Sequence, residues 1–271
     1  MKFDALKPFT FRRDGLALAA YDAGGAGLPV VFQHGLCGDV KQTAEAFPDS
    51  PAFRLVTLEC RGHGRSGTDG RHSIATFADD VAALVEYLDL APVVIGGISM
   101  GAAIAIRLAV TRPERVRGLI LARPAWVADA APENMQPNAE VGALLERLPP
   151  DEAQAVFARS ETFGRLAALS PDNLQSLQGF FSREPLAVTA SLLRAIAADG
   201  PGIAEAELAA LRIPALVLGT TEDVIHPIAD AERLAALIPG ARFARLTPKG
   251  RDRTAYVTDF HRALRAFLQE F

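Results

Sequence analysis

The sequence predicts an α/β fold: a mostly parallel sheet flanked by helices and interrupted once by a helical insertion. Three observations carry this. Short apolar runs bounded by Pro, Gly or polar residues recur at 30–34, 53–59, 92–97, 116–122 and 214–220, as strands buried on both faces require. Segments with helical spacing lie between several of them, the alternation that builds a parallel sheet covered on both sides. From 125 to 205 the strand signal stops and short amphipathic segments take its place.

In chain order, the stretches 9–12 and 16–21 flank Asp14-Gly15, a turn pair that predicts a hairpin. The loop 22–29 leads into the strands at 30–34 and 53–59. A helix is expected over 73–89, with Ser73 at its N-cap and Phe77, Val81, Leu84 and Leu88 on one face. The strand 92–97 is followed by a helix over 102–111, ended by Pro113, and by the strand 116–122. Helices are expected near 139–148, 151–160, 171–181 and 186–198. Strand 214–220, helix 228–238 and strand 242–247 then precede a C-terminal helix whose apolar face holds Tyr256, Phe260, Leu264 and Phe267. The expected division is a core of residues 1–124 and 206–271 with an insertion over 125–205.

Composition narrows the function. Hydrophobic residues make up 49% of the 271 and charged residues 22%, enough for a core and too apolar for a disordered chain. The balance of 28 Lys+Arg against 32 Asp+Glu does not argue for a nucleic-acid binder. Two cysteines, Cys37 and Cys60, make no disulfide scaffold and fit a reduced cytoplasmic protein. The N-terminus has no apolar secretory core. The longest uncharged run, Leu90–Ile106, is short of the ~20 residues of a membrane span. No metal-ligand spacing or dinucleotide fingerprint appears, so no cofactor and no metal are expected. The expected partner is a small-molecule substrate; a homo-oligomer is left open.

The segment richest in chemistry is Gly97-Ile98-Ser99-Met100-Gly101, set between a buried strand and a helix. In that context G-x-S-x-G makes a tight turn that strains the serine backbone and projects its side chain into the crevice at the strand's end. The helix N-terminus adds partial positive charge beneath it. Gln33-His34-Gly35-Leu36 closes the strand 30–34, and Arg61-Gly62-His63-Gly64-Arg65-Ser66-Gly67 follows the strand 53–59.

Together these three segments resemble the α/β-hydrolase fold family, with the insertion at the position of its lid. The resemblance implies that Ser99 is the nucleophile and that the amides of Leu36 and Met100 form the oxyanion hole. It places the acid just after the strand that follows the lid, at Asp223 in preference to Glu222, in the family's chain order of Ser then Asp. It also places a histidine after the next strand, in a Gly-His pair about ten residues before a phenylalanine of the last helix. Here that pair is Gly250-Arg251, nine residues before Phe260. Arginine keeps its proton and cannot be a general base.

Other histidines must therefore be weighed. His226 lies three residues after Asp223, in Asp-Val-Ile-His-Pro. That spacing can bring carboxylate and imidazole within hydrogen-bond reach, and the SGNH lipases and esterases use it on a different fold. His34 is the second candidate, for chemistry or substrate contact. His63 reads as part of a structural turn, and His72 and His261 as surface residues. Arg123 ends a central strand at the crevice, where it would anchor an anionic ligand or pair with Asp129 or Glu133. Trp126 reads as a pocket wall or an insertion-core aromatic, and Lys249 as a further cationic binding residue. Cys37 lacks the elbow context of a nucleophile.

The expectation is a serine-dependent hydrolase of a small anionic ester, lactone or diketone, with Ser99, Asp223 and His226 as its catalytic residues. The alternatives are a triad-deficient binding protein on the same scaffold and a cofactor-free lyase.

Overall fold

The computed structural model describes residue 1 and residues 3–271. Its strands are β1 (Lys7–Arg13), β2 (Leu16–Asp22), β3 (Leu28–Gln33), β4 (Phe53–Leu58), β5 (Val93–Ile98), β6 (Val116–Ala122), β7 (Ala215–Gly219) and β8 (Arg242–Arg245). Among the described residues they form one eight-stranded sheet in the order β1-β2-β4-β3-β5-β6-β7-β8. The first hairpin is antiparallel and joins β4 antiparallel. From β4 to β8 every pairing is parallel. The hairpin turns where the sequence predicts: Asp14 and Gly15 both take positive φ, at 52° and 80°. That conformation matches the twist of the two strands.

The helices are α1 (Val40–Ala46), α2 (Ile74–Tyr87), α3 (Met100–Thr111), α4 (Gln136–Arg147), α5 (Pro150–Phe157), α6 (Glu161–Leu169), α7 (Pro171–Gly179), α8 (Leu186–Ala197), α9 (Glu205–Ala210), α10 (Ile228–Leu237) and α11 (Arg253–Leu268). Ser73 caps α2 by accepting from the Thr76 amide. One apolar cluster packs α2, α3, α10 and the insertion helices on one side of the sheet. The other buries Val40 and Ala44 of α1 with Tyr256, Phe260, Leu264 and Phe267 of α11. Helices α1, α6 and α9 lie outside the sequence expectations. They have seven, nine and six residues, too few turns to show a periodic signal against the loops around them. Among the described residues, no helix is long and apolar enough to cross a membrane.

The parallel part of the sheet starts at β3; the chain adds β4 on one side, then crosses to add β5 on the other. A crevice opens at the C-terminal edge where the strand order reverses, the usual ligand position in an open α/β sheet. The ends of β3, β5, β6 and β7 all deliver residues there, and α4 and α7 cover it.

Candidate active site

Ser99 stands between β5 and α3 at φ 55° and ψ −112°, a conformation that costs a non-glycine residue about 1–3 kcal/mol. The turn survives because its surroundings leave no alternative. A Cβ on Gly97 would lie 2.7 Å from the Gln33 carbonyl oxygen, and one on Gly101 would strike the same atom. The Ser99 amide donates to the Ala122 carbonyl at 2.9 Å. Its hydroxyl has no partner among the described residues and opens into a cavity of about 100 Å³.

The loop after β3 packs directly on the serine: a Cβ on Gly35 would sit 3.4 Å from Ser99 Cβ. Gln42 Oε1 accepts from the Gly35 amide at 2.7 Å. The amides of Leu36 and Met100 donate to no acceptor among the described residues.

Two histidines brace this loop. His34 Nδ1 donates to the Gly35 carbonyl at 2.8 Å, and His34 Nε2 accepts from the Cys60 amide at 3.1 Å. His63 Nε2 accepts from the Cys37 amide at 3.1 Å, with its Nδ1 on the Arg61 carbonyl. Burial holds His34 down at about 4 and His63 well below the usual histidine range, so both rings are neutral. This corrects the expectation for His34: both nitrogens are spent on backbone, and the ring does not line the cavity. Cys37 is inert as well, since burial pushes its thiol up to about 12.

After β7, Asp223 and His226 form a unit on one loop. His226 Nδ1 meets Asp223 Oδ1 at 2.8 Å, and the His226 amide donates to the same oxygen at 3.0 Å. His226 lines the Ser99 cavity, and its Nε2 has no partner among the described residues.

Arg123 supplies the other half of the Asp223 environment. It takes φ 45° at the end of β6, where its Nε and Nη2 reach Asp223 Oδ2 at 2.7 and 2.6 Å. Asp172 stands 3.8 Å from Nη2. Burial alone would raise the Asp223 pKa, but the Arg123 guanidinium, aided by His226, holds it well below the usual carboxylate range. In the same way Asp223 outweighs the burial of Arg123 and holds its pKa above the usual arginine value. The expectation of Arg123 as an anion anchor is thereby corrected, as is its pairing with Asp129 or Glu133. The guanidinium is already matched, chiefly by Asp223.

Lys249 lines the same cavity and donates to Asp172 at 2.9 Å. Arg251 instead points outward and pairs with Glu222. Trp126 is corrected too: it is 1% exposed, donates to the Asp199 carbonyl at 2.9 Å and belongs to the core. It therefore does not wall the cavity. His72 is buried between Thr68 and Ser191, and His261 Nε2 donates to the Glu45 carbonyl at 2.8 Å, so neither is a free surface residue.

The insertion contributes residues that no motif announces. Asn173 Oδ1 accepts from the amides of Val224 and Ile225 at 2.9 and 3.0 Å. Asn134 Nδ2 donates to the carbonyls of Ile225 and Ala125 at 2.7 and 3.0 Å. The Ser170 hydroxyl donates to the Glu222 carbonyl at 2.7 Å. The segment carrying Asp223 and His226 is thus held from the insertion side. The signal for such residues is a polar side chain on an apolar stripe: Asn173 shares the buried face of α7 with Leu174 and Leu177, and Asn138 that of α4 with Val141. Among the described residues, no group of three His, Cys, Asp or Glu could hold a metal ion.

A family model described as the alpha/beta hydrolase fold matches residues 29–251. BpoC of Mycobacterium tuberculosis, by name a non-heme bromoperoxidase, is 29% identical over 237 residues, 85% of this chain and 89% of its own. RutD of Rhizobium rhizogenes, by name a carbamate hydrolase, is 32% identical over 202 residues, 71% and 73% of the two chains. A thermophilic esterase from Thermogutta terrifontis superposes with a TM-score of 0.72 at 24% identity, covering 98% of both chains. That last likeness is one of fold.

Proposed function

The chain belongs to the alpha/beta hydrolase fold family, and from that premise we propose that it is a serine hydrolase of small esters and lactones whose general base, His226, stands on the same loop as its carboxylate, Asp223. The observation that carries this is the shared cavity. Ser99 and His226 line it together, while His226 Nδ1–H donates to the Asp223 carboxylate and leaves Nε2 for the reaction.

In this mechanism His226 Nε2 accepts the Ser99 proton as Oγ attacks the carbonyl carbon, and later returns it to the leaving oxygen. The unspent amides of Leu36 and Met100 receive the oxyanion. Asp223, kept ionised by Arg123, fixes the imidazole tautomer and supports the imidazolium. Water then repeats the cycle on the acyl-enzyme. Lys249, which occupies the loop of the expected histidine, is ion-paired with Asp172.

The cavity also speaks to the substrate. Its volume of about 100 Å³ lies below the usual range for drug-sized ligands. The cations lining it, Arg123 and Lys249, are matched by Asp223 and Asp172. A small neutral acyl compound fits this balance better than an anion. Helices α4 and α7 act as the lid over it.

A fluorophosphonate probe should label wild-type protein and not Ser99→Ala. His226→Gln should lower kcat on methyl acetate by ~10²-fold or more. The unpartnered Ser99 hydroxyl also suits the second reading, a triad-deficient binding protein. An unlabelled wild type would decide for that reading, and full activity in His226→Gln would remove the base from this loop.

A further inference from the structure

Most polar side chains around the Ser99 cavity are already engaged. Arg123 and Lys249 are ion-paired, Gln42 holds the Gly35 amide, and Asn173 holds Val224 and Ile225. Ser176 donates to the Asp172 carbonyl and His226 is bonded to Asp223. Among the described residues lining the cavity, two polar side chains have no hydrogen-bond or ionic partner: Ser99 and Asn138. Ser99 has a chemical reason to be free. Asn138 does not.

Asn138 lies on the buried face of α4 and is 4% exposed. Its Oδ1 is fully buried without a partner. A carboxamide removed from water and left unpaired is unfavourable, and native proteins rarely keep one without use. It shares the buried face of α4 with Val141 and lines the same cavity as Ser99. We propose that Asn138 is the substrate-recognising residue of the lid, and that its carboxamide pairs with a hydroxyl or amide N–H carried near the reacting carbonyl. The substrate class is then a small neutral hydroxyacyl or N–H-bearing acyl compound. This deepens the serine-hydrolase reading and rests on it for the identity of the reacting carbonyl.

A site built around such a hydrogen bond rejects the analogue that lacks it, because the protein group is then left unpaired. The first test compares methyl lactate with methyl 2-methylpropanoate, which replaces the hydroxyl by a methyl group, in wild type and Asn138→Leu. The ratio of their kcat/KM values should fall ~10-fold or more in the variant. The second test needs no turnover. Lactamide and 2-methylpropanamide are titrated calorimetrically into Ser99→Ala and into Ser99→Ala/Asn138→Leu. Lactamide should bind ~10-fold tighter to the first protein, and this preference should vanish in the second. Equal kinetic ratios in wild type and variant, or equal binding of the two amides by Ser99→Ala, would overturn the proposal while the hydrolase reading stands. If wild type turns over neither ester and takes no fluorophosphonate, the hydrolase reading falls and the amide titration alone decides the subsite.

Discussion

His34 and Arg123 are both buried ionisable side chains, and their partners give them opposite states. Arg123 meets a carboxylate and stays charged. His34 meets a carbonyl and an amide N–H, and stays neutral. A second proton on His34 would turn its Nε2 from acceptor to donor against the Cys60 amide and break the brace on the Gly35-Leu36 loop. The sign of the pH effect follows. The folded pKa is about 4, below the ordinary 6.5, so between those values the unfolded chain binds the extra proton. Stability is then complete above pH 6.5 and declines as pH falls toward 4. At pH 5 the His34 share of that loss is about 2 kcal/mol. Urea unfolding at pH 7 and pH 5 should show a smaller drop for His34→Gln than for wild type. His63 contributes in the same direction, so wild type loses more than His34 alone supplies. Equal drops in the two proteins would show that His34 is not the titrating group.

At the scale of elements, the segment 222–226 and helix α7 act as one part. Asn173→Ala would leave two backbone amides without their acceptor, a cost of about 1–3 kcal/mol for each that stays buried, and would loosen the segment that aims His226. The expected result is a kcat lowered ~10-fold with KM changed less, because the imidazole is misplaced more than the binding surface is. Asn173→Asp keeps an acceptor oxygen and should recover most of the rate. Steady-state kinetics on methyl acetate check this, and an unchanged kcat in Asn173→Ala would mean the segment holds itself. The same contacts show where sequence reading stops. The strands, Ser99, Asp223 and the Asp-x-x-His spacing were legible because each has a local signature: an apolar run, a strand-to-helix motif, a loop pair. Arg123 was legible as a charge at a strand end. Its true partner lies 100 residues on, and nothing local ranks that acid above Asp129 or Glu133. Asn134 and Asn173 act on a segment 91 and 51 residues away, and the turns that bring them there leave no periodic trace.

For the whole molecule, the question is whether the insertion is an independent layer. The packing says that it is not. A single apolar cluster runs from Val81 and Leu119 through Trp126 to Val141, Phe157, Leu177 and Leu192. Polar ties cross at several places. The Ile74 amide donates to Asp199 Oδ2 at 2.7 Å, Arg107 to the Pro201 carbonyl at 2.9 Å, and Arg183 to the carbonyls of Cys37 and Gly62 at 3.2 Å. Opening the insertion would expose one side of the cluster and strip these groups of partners together, so the insertion and the sheet should unfold as one unit. Trp126, the sole tryptophan, sits at this junction with its indole bonded to Asp199, and its fluorescence reports the insertion boundary without any labelling. Far-UV circular dichroism reports the helices and strands of the whole chain. In urea the two signals should give one superimposable transition with the same midpoint and slope. A tryptophan midpoint below that of the circular dichroism would show the insertion detaching first. The lid would then be a separately stable layer, and the clamp on His226 could be released without unfolding the sheet.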